Sequence, residues 1–301
     1  MLPFPLFFHP AFTVDLGPHV FPAQKYVLVR DRLLKDGIAG AGDFAPFESA
    51  LESDLLRVHT KDYVLRILTG TLSAEEIRVL EIPWSRGLVD AALLACGAAI
   101  EASRRALEGS AAVILGGGFH HACPDHGEGF CLVHDVAVGL RALRASGDLR
   151  RAAILDLDVH QGNGTAAIFG GDRDTFTVSL HQEDNYPFVK PPSTLDVGLP
   201  DDTTDEAYLE ALAEPLAALI AFEPDLVYYL AGADPYRDDL LGGLALSLAG
   251  LETRDGTVFR ALKAAGVPVV VTLAGGYAGR TEDTITIHAN TVRAAAAAFQ
   301  A

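Results

Sequence analysis

The sequence predicts an α/β fold: a single domain with an open, mostly parallel sheet and helices on both of its faces. Short runs rich in Val, Ile and Leu recur along the chain and are apolar at nearly every position, as in strands that are buried on both faces of a parallel sheet. Ala- and Leu-rich segments of helical length and period separate these runs. Because strands and helices alternate, we expect right-handed strand–helix–strand units.

The apolar runs and the periodic segments define the predicted elements. Strands are expected at residues 2–8, 111–115, 152–157, 175–180, 226–230 and 267–273. Helices are expected at residues 88–107, 135–146, 205–222, 253–265 and 281–299, with two short ones between 48 and 70. Two long loops, 119–133 and 181–202, remain, and loops of this size in a compact domain are usually functional or disordered.

Length and composition favour a single domain over residues 1–301. Half of the 301 residues are hydrophobic, which suffices for one large core, and no segment resembles an interdomain linker. The formal charge of −17, from 23 Lys plus Arg and 40 Asp plus Glu, makes nucleic-acid binding unfavourable. This charge would suit cationic substrates such as lysine-rich peptides or polyamines, although solubility explains it more simply.

Cysteine usage and the N-terminal segment predict a cytoplasmic protein. Cys96, Cys123 and Cys131 form neither a CxxC motif nor an even disulfide framework, which indicates a reducing compartment. The apolar N-terminal stretch is short, follows no basic residues and is followed by His9 and Pro10. It therefore differs from a signal peptide and from a membrane span.

Polar clusters follow four of the predicted strands at the point where each apolar run stops. The histidine pair His120 and His121 comes after the first of them, and a segment with two aspartates and a histidine, 156–160, ends the second. Asp234 and Tyr277 follow the other two. In an open α/β sheet, chemistry takes place in the crevice beyond the carboxyl ends of the strands. Histidines, carboxylates and a phenol meeting there indicate metal-assisted hydrolysis.

The motif Asp-Leu-Asp-Val-His at 156–160 is the best candidate for a metal site. Its i, i+2, i+4 spacing would place three polar side chains on one face of a strand, where buried charges need compensation. We expect Asp158, His160 and Asp234 to bind a divalent cation and to leave one coordination position open for water, as in catalytic zinc sites. The alternatives, a strand-end cap or a salt bridge, leave Asp234 and the histidine pair unexplained.

An ordered set of motifs resembles the zinc-dependent histone deacetylase family of the arginase/deacetylase superfamily. The motifs are Gly-Gly-Phe-His-His-Ala at 117–122, Gly-Phe-Cys at 129–131, Asp-Leu-Asp-Val-His-Gln-Gly-Asn-Gly-Thr at 156–165, Ser-Leu-His at 179–181, Gly-Ala-Asp at 232–234 and Gly-Gly-Tyr at 275–277. They look most like those of class IV enzymes and their bacterial relatives. The resemblance implies the arginase/deacetylase fold and a zinc-dependent deacetylase or deacylase that removes acetyl or longer fatty-acyl groups from lysine.

The resemblance implies one Zn²⁺ per chain, with Fe²⁺ as the alternative metal. A binuclear manganese ureohydrolase on the same fold would need a carboxylate two residues after the metal-binding histidine. Gly162 occupies that position, so one metal is favoured over two. The resemblance also implies a site for a monovalent cation, K⁺, formed by Asp156, Ser179 and the carbonyls of Asp158, His160 and Leu180.

Catalytic roles are implied by the same resemblance. His121 would act as general base and then as general acid, His120 would carry positive charge beside it, and Tyr277 would donate a hydrogen bond to the oxyanion. Asp156 would pair with His120, and Asn163 with His121, where other family members have Asp. Because a neutral amide supports an imidazolium less than a carboxylate does, it stays open which histidine transfers the proton.

Aromatic residues are implied as the walls of the channel that admits acyl-lysine. Phe130, preceded by Gly129, would form one wall and Tyr186 the other, with Phe188 as a substitute for Tyr186. Glycine runs at two strand ends would let the backbone approach the channel floor closely and would leave depth for long acyl chains. These floor glycines are residues 116–118, Gly275 and Gly276.

Two further functions stay open. An enzyme of the same chemistry could deacetylate small acetylated amines such as acetylpolyamines, although the chain has no long insertion that would narrow the entrance. A non-catalytic acyl-lysine-binding protein would be expected to lack Tyr277 or a metal ligand, and this sequence has lost none of them. Histidines 59, 126, 134 and 181 are interpreted as structural.

Overall fold

Residues 1–300 are described by a computed structural model and form one seven-stranded sheet. The strands are β1 (Leu6–Phe7), β2 (Ala111–Ile114), β3 (Ala152–Asp156), β4 (Thr175–Gln182), β5 (Leu195–Leu199), β6 (Leu226–Leu230) and β7 (Val269–Thr272). They lie in the order β1-β2-β7-β6-β3-β4-β5, and every neighbouring pair is parallel. The predicted α/β fold with an open parallel sheet is confirmed.

Ten α-helices surround this sheet in the described part of the chain. They are α1 (Lys25–Lys35), α2 (Glu52–Leu55), α3 (Lys61–Thr69), α4 (Ala74–Leu80), α5 (Arg86–Gly109), α6 (Asp135–Ser146), α7 (Asn163–Phe169), α8 (Asp205–Ala221), α9 (Leu248–Ala265) and α10 (Thr281–Phe299). Two 3₁₀ turns, Pro10–Phe12 and Ala41–Asp43, complete the set. No helix within residues 1–300 is both long enough and apolar enough to cross a membrane.

Both faces of the sheet are covered because successive strand residues point to opposite sides. On one face, Val113 of β2 and Tyr229 of β6 belong to a core that includes residues of α1, α8, α9 and α10. On the other face, their neighbours Ile114 and Tyr228 belong to a core formed with α3, α5 and α6. All residues of the central strands are buried, which explains why these strands are visible in the sequence as continuous apolar runs.

The sequence prediction missed four elements, β5, α1, α4 and α7, and it set other bounds for two more: β1 is limited to Leu6–Phe7, and α9 begins at Leu248. The edge strand β5 lies inside the predicted loop 181–202, and its half-buried and exposed residues alternate, so it has no continuous apolar run. Helix α7 has seven residues, too few to establish a helical period. The helices α1 and α4 do carry signals, since α1 buries Tyr26, Val29 and Leu33 at helical spacing and α4 begins with a capping box at Ser73.

His59, between α2 and α3, fastens the long segment that follows β2. Its Nδ1 donates a hydrogen bond to the carbonyl of Cys123 (2.9 Å), and its Nε2 accepts one from the backbone N–H of His134 (3.1 Å). Burial lowers the pKa of His59 to about 4, although the backbone contacts of Cys123 and Pro124 oppose this shift. A second ring proton would face a backbone N–H, so folding requires the neutral imidazole.

We expect the free energy of unfolding to fall as the pH drops from 6.5 toward 4, in part through His59. The unfolded chain binds a proton here near pH 6.5, whereas the folded chain does so only near pH 4. The stabilisation is therefore complete above pH 6.5 and amounts to about 3 kcal/mol, at about 1.4 kcal/mol per pH unit. Measured by urea unfolding, the free energy of unfolding of His59→Gln should fall less steeply over this pH range than that of wild type. Equal slopes for the two proteins would contradict the assignment to His59.

Candidate active site

Polar side chains follow the four central strands β2, β7, β6 and β3 at one edge of the sheet. They are His120 and His121 after β2, Asp158 and His160 after β3, Asp234 after β6 and Tyr277 after β7. Parallel strands end on the same side, which is where ligands bind in open α/β sheets. The topology thus brings together residues that lie more than 150 positions apart in the sequence.

The segment after β3 is not a strand, so the prediction that its three polar side chains share one strand face is wrong. The strand ends at Asp156, and side-chain-to-backbone hydrogen bonds shape the next residues. Asp156 Oδ1 accepts the N–H of Asp158 (3.2 Å), and Asp158 Oδ1 accepts the N–H of His160 (3.0 Å). Such turns are typical of aspartate, and they turn Asp158 and His160 toward the end of β6.

Asp158, His160 and Asp234 form the buried cluster that the spacing suggested. One potential ligand atom from each lies within 4.8 Å of the others. Asp234 Oδ1 accepts the N–H of Val159 (2.9 Å), whereas its Oδ2 is buried and has no hydrogen-bond partner among residues 1–300. Asp158 Oδ2 accepts the N–H of Gly275 (2.9 Å). Only glycine fits there, because a Cβ would lie 1.8 Å from Asp234 Oδ2.

The electrostatics of this cluster fit a divalent cation. Burial and the neighbouring Asp158 carboxylate raise the pKa of Asp234 well above its ordinary value. A buried carboxylate oxygen without a donor is costly, and a cation between the two carboxylates would remove both the repulsion and the unpartnered oxygen. Imidazole nitrogens and carboxylate oxygens are zinc ligands, and a site with three protein ligands leaves one coordination position open, as catalytic zinc requires.

One other three-residue cluster with metal-binding side chains exists among the described residues: Cys123, His126 and Glu128. Its charged groups already have partners. His126 Nε2 donates to Glu128 Oε2 (3.1 Å), and the other Glu128 oxygen accepts from Asn163 and Tyr186. The cluster after β3 and β6, with its orphaned oxygen, is therefore the better candidate for the metal.

The histidine pair contains one charged and one neutral ring at neutral pH. His120 Nδ1 donates to Asp156 Oδ2 (2.7 Å), and although burial opposes it, the carboxylates of Asp156 and Asp158 raise the pKa of His120 to about 9. His121 Nδ1 donates to Asn163 Oδ1 (2.6 Å). Burial, together with the rings of His120 and His160, lowers the pKa of His121 well below its ordinary value.

A cavity of 190 Å³ opens onto these groups. Its lining includes His120, His121, Asp158, His160 and Tyr277, together with the expected channel residues Gly129, Phe130, Tyr186 and Gly275. Burial and the carboxylates of Asp158 and Asp234 raise the pKa of Tyr277 well above its ordinary value, so its hydroxyl stays protonated and can donate.

Phe130 and Tyr186, the residues expected as channel walls, both line the cavity. The Tyr186 ring lies 5.0 Å from the His121 ring, and the Phe130 ring lies 6.1 Å from that of Tyr277. Gly129 has a φ of +52°, and a Cβ there would lie 2.7 Å from the His121 ring, so glycine is required. Phe188 is 94% exposed and does not line the cavity.

Gly117, Gly118 and Gly275 line the cavity, and a side chain on any of them would collide with its surroundings, so glycine lets the backbone approach closely here. A Cβ on Gly117 would lie 2.3 Å from Asp135 Oδ2, and one on Gly118 2.8 Å from Thr272 Oγ1. Gly276 packs against Ala233 and lies outside the cavity lining. A second, apolar cavity of 40 Å³ adjoins the first, and both are lined by Phe21, Tyr26, Gly117, Phe119 and Phe130.

The residues expected at a monovalent-cation site lie on the neighbouring strands β3 and β4. Asp156 and Ser179 are register partners, and Leu180 follows Ser179. The Ser179 hydroxyl is hydrogen-bonded to Nδ1 of His181 (3.0 Å). Asp158 and His160 follow β3 at the same edge of the sheet. The structure therefore brings the five residues into one region.

The sequence analysis missed several charged residues near the site, and three of them contact its backbone. Lys25 of α1 is fully buried, donates to the carbonyl of Ala274 (2.8 Å) and has a pKa lowered to about 8 by burial, against the carboxylates nearby. Asp239 Oδ2 accepts the backbone N–H of Tyr277 (2.7 Å). Asp135 accepts the backbone N–H groups of Gly118 and Phe119. In the sequence, each of them is a single charged residue outside any motif. Only its burial in the folded protein distinguishes it from a surface residue.

A candidate metal-binding cluster, two histidines with opposite pKa shifts and a phenol donor thus lie together at one cavity, and these are the groups that metal-assisted hydrolysis requires. The chain belongs to the histone deacetylase family, since the model of the histone deacetylase domain matches residues 19–292.

Alignments with similar proteins cover most of the chain. An uncharacterized protein of Picosynechococcus sp. is 40% identical over 97% of this chain and 98% of its own length. Histone deacetylase 2 of Arabidopsis thaliana is 32% identical, covering 86% of this chain and 70% of its own. Among solved structures, the HDA15 HD domain has a TM-score of 0.80 at 23% identity and covers 97% of this chain and 88% of its own. This last likeness shows the fold.

Proposed function

We propose that the protein is a metal-dependent amidohydrolase that removes acyl groups from lysine side chains. The observation that carries the proposal is the buried Oδ2 of Asp234, which has no hydrogen-bond partner among residues 1–300 and lies beside Asp158 and His160. Deacetylase or amidohydrolase activity is also supported by the family and by relatives such as histone deacetylase 2 of Arabidopsis thaliana. Beyond this activity, we propose the metal, its ligands and the lysine substrate.

Asp158, His160 and Asp234 would hold the metal. Two carboxylates and one imidazole suit Zn²⁺, and Fe²⁺ is the alternative. When bound, the cation would polarise the acyl carbonyl and activate water. A monovalent cation such as K⁺ would lie near Asp156 and Ser179.

The two histidines would divide the proton chemistry between them. His121 is neutral at pH 7 because burial and the adjacent imidazoles lower its pKa, so it can take the proton from water and pass it to the departing amine. His120 already carries a proton, since Asp156 and Asp158 raise its pKa against the effect of burial. It would stabilise developing negative charge. Tyr277 would donate a hydrogen bond from its hydroxyl group to the oxyanion.

The acyl-lysine stem would lie between Phe130 and Tyr186. Both rings line the cavity, Tyr186 beside His121 and Phe130 beside Tyr277. An aromatic channel suits an uncharged, amide-capped lysine, because the methylenes gain from apolar burial and the amide reaches polar groups at the far end. A panel of fluorogenic acyl-lysine peptides, measured with and without chelator, tests this proposal. Chelator-sensitive hydrolysis is expected, and no hydrolysis of any acyl-lysine peptide would refute it.

Long acyl chains are expected to be better substrates than acetyl. The apolar cavity shares Gly117 and Phe119 with the active-site cavity as lining residues, and each methylene that an acyl chain buries there would contribute roughly 0.8 kcal/mol. We therefore expect kcat/KM for a decanoyl- or myristoyl-lysine peptide to exceed that for the acetyl peptide. A preference for acetyl, with no hydrolysis beyond butyryl, would contradict this expectation.

A substitution in the apolar cavity tests whether the acyl chain binds there, whichever acyl length the enzyme prefers. Ala92 of α5 lines the apolar cavity and does not line the active-site cavity. The substitution Ala92→Leu should therefore lower kcat/KM for the long acyl peptides much more than for the acetyl peptide. Equal effects on both peptides would mean that the acyl chain takes another path.

A further inference from the structure

Glu128 is a largely buried carboxylate that the proposed mechanism leaves without a role. Its side chain is 15% exposed, beside the active-site cavity. Oε1 accepts hydrogen bonds from Asn163 Nδ2 (2.5 Å) and from the Tyr186 hydroxyl (2.8 Å), and Oε2 accepts from His126 Nε2 (3.1 Å). Burial raises the pKa of this carboxyl, but the three hydrogen bonds outweigh it and hold the pKa below its ordinary value. Glu128 is therefore an ionised acceptor.

The position of this acceptor decides the orientation of the Asn163 amide. An amide side chain has nearly the same shape when its oxygen and nitrogen are exchanged, so packing alone does not orient it. A carboxylate can only accept hydrogen bonds. Glu128 therefore requires the NH₂ group of Asn163 on its side, which directs Asn163 Oδ1 toward His121 Nδ1, 2.6 Å away.

The amide orientation in turn decides which nitrogen of His121 carries the proton. A neutral imidazole has one N–H and one lone pair. With Asn163 Oδ1 facing Nδ1, the proton resides on Nδ1, and Nε2 keeps its lone pair on a ring that lines the cavity. With the amide reversed, its NH₂ would face Nδ1, the proton would move to Nε2, and His121 could not accept a proton from water.

We propose that Glu128 is a positioning residue that holds His121 in its base-competent tautomer by orienting Asn163. The catalytic meaning of this tautomer rests on the proposed function, whereas the tautomer itself does not. In the chain Glu128–Asn163–His121, an amide lies between the carboxylate and the histidine. It fixes the direction of the hydrogen bond but keeps the negative charge one side chain further from the ring.

Nitrogen NMR of the histidine rings tests the inference without substrate. In protein labelled with ¹⁵N-histidine, and with the His121 signals assigned by substitution, long-range proton–nitrogen spectra distinguish an Nδ1–H ring from an Nε2–H ring. We expect wild type to show His121 as the Nδ1–H form. Glu128→Gln, which can donate or accept toward Asn163, should add or substitute the Nε2–H form. An unchanged Nδ1–H signal in Glu128→Gln would overturn the proposal, as would an Nε2–H ring in wild type.

Kinetics provide a second readout with a rescue. Glu128→Gln should lower kcat by about 10–100-fold, the range for groups that orient a functional imidazole, with a smaller change in KM. In an Asn163→Asp background the carboxylate at 163 accepts from His121 without help, so adding Glu128→Gln should cause no further loss of kcat. The control Glu214→Gln makes the same substitution at an exposed position of α8, outside the cavity lining, and should retain kcat.

The outcomes separate the inference from the proposed function. An equal loss from Glu128→Gln in both backgrounds would overturn the role of Asn163 as the link, even if the protein hydrolyses acyl-lysine. If wild type hydrolyses no acyl-lysine, the proposed function fails, and the NMR measurement still decides whether Glu128 sets the tautomer of His121.

Discussion

Tyr277→Phe is expected to lower kcat for acyl-lysine hydrolysis by about 10²–10³-fold, the usual effect of losing one oxyanion donor. The phenol lines the cavity together with His121 and His160, and its raised pKa keeps the proton available for donation. The substitution removes only one oxygen and leaves the ring packed against Phe21 and Phe130. Metal content and folding should therefore stay at their wild-type values.

The matched control for this variant is Tyr208→Phe. It also removes one buried phenol oxygen, but Tyr208 belongs to α8 and lies outside the cavity lining. We expect its kcat to stay within about twofold of wild type. Steady-state kinetics with metal analysis on both variants decide the matter, and near wild-type kcat in Tyr277→Phe would place the oxyanion donor elsewhere.

His121→Gln is expected to lower kcat/KM by about 10²–10⁴-fold, because glutamine cannot take a proton from water. The exposed His9 offers a control, since His9→Gln makes the same substitution outside the cavity lining. Rate measurements on both variants with the acetyl-lysine peptide test the assignment. Equal activity of His121→Gln and wild type would show that another group moves the proton.

The dependence of kcat/KM on pH in wild type tests which of the two histidines is the general base. A general base works only when it is unprotonated, so activity is lost as the pH falls through its pKa. Because the pKa of His121 lies well below its ordinary value, kcat/KM should stay constant from pH 7 to below 6.5. If His120, with a pKa of about 9, were the base, kcat/KM would instead rise between pH 7 and 9.

The central part of the fold was predictable from the sequence, whereas the edge strand β5 was not. The strands β2, β3, β6 and β7 are buried on both faces, so their apolar runs are continuous, and the polar residues that follow them mark the site. The edge strand β5 is half exposed and lacks this signal. Its place in the sheet depends on pairing with β4, which is a tertiary contact.

The site shows the same division between local and long-range information. Asp158, His160 and Asp234 could be named because aspartate and histidine interrupt apolar runs, although the strand geometry assumed for the first two was wrong. Lys25 and Glu128 could not be named. Lys25 is an ordinary helix residue until the fold places it against the Tyr277 ring, and Glu128 is an ordinary loop residue until the fold places it against Asn163.

Metal titration of the metal-free protein tests the central claim most directly. Chelated protein should hydrolyse no acetyl-lysine peptide, and activity should rise with added Zn²⁺ until one equivalent per chain is bound, measured by calorimetry and by rate in the same samples. Asp234→Asn, which removes the charge of the orphaned carboxylate, should bind the metal weakly and stay inactive. Full activity without metal, or activity that requires two equivalents, would contradict a single catalytic metal held by Asp158, His160 and Asp234.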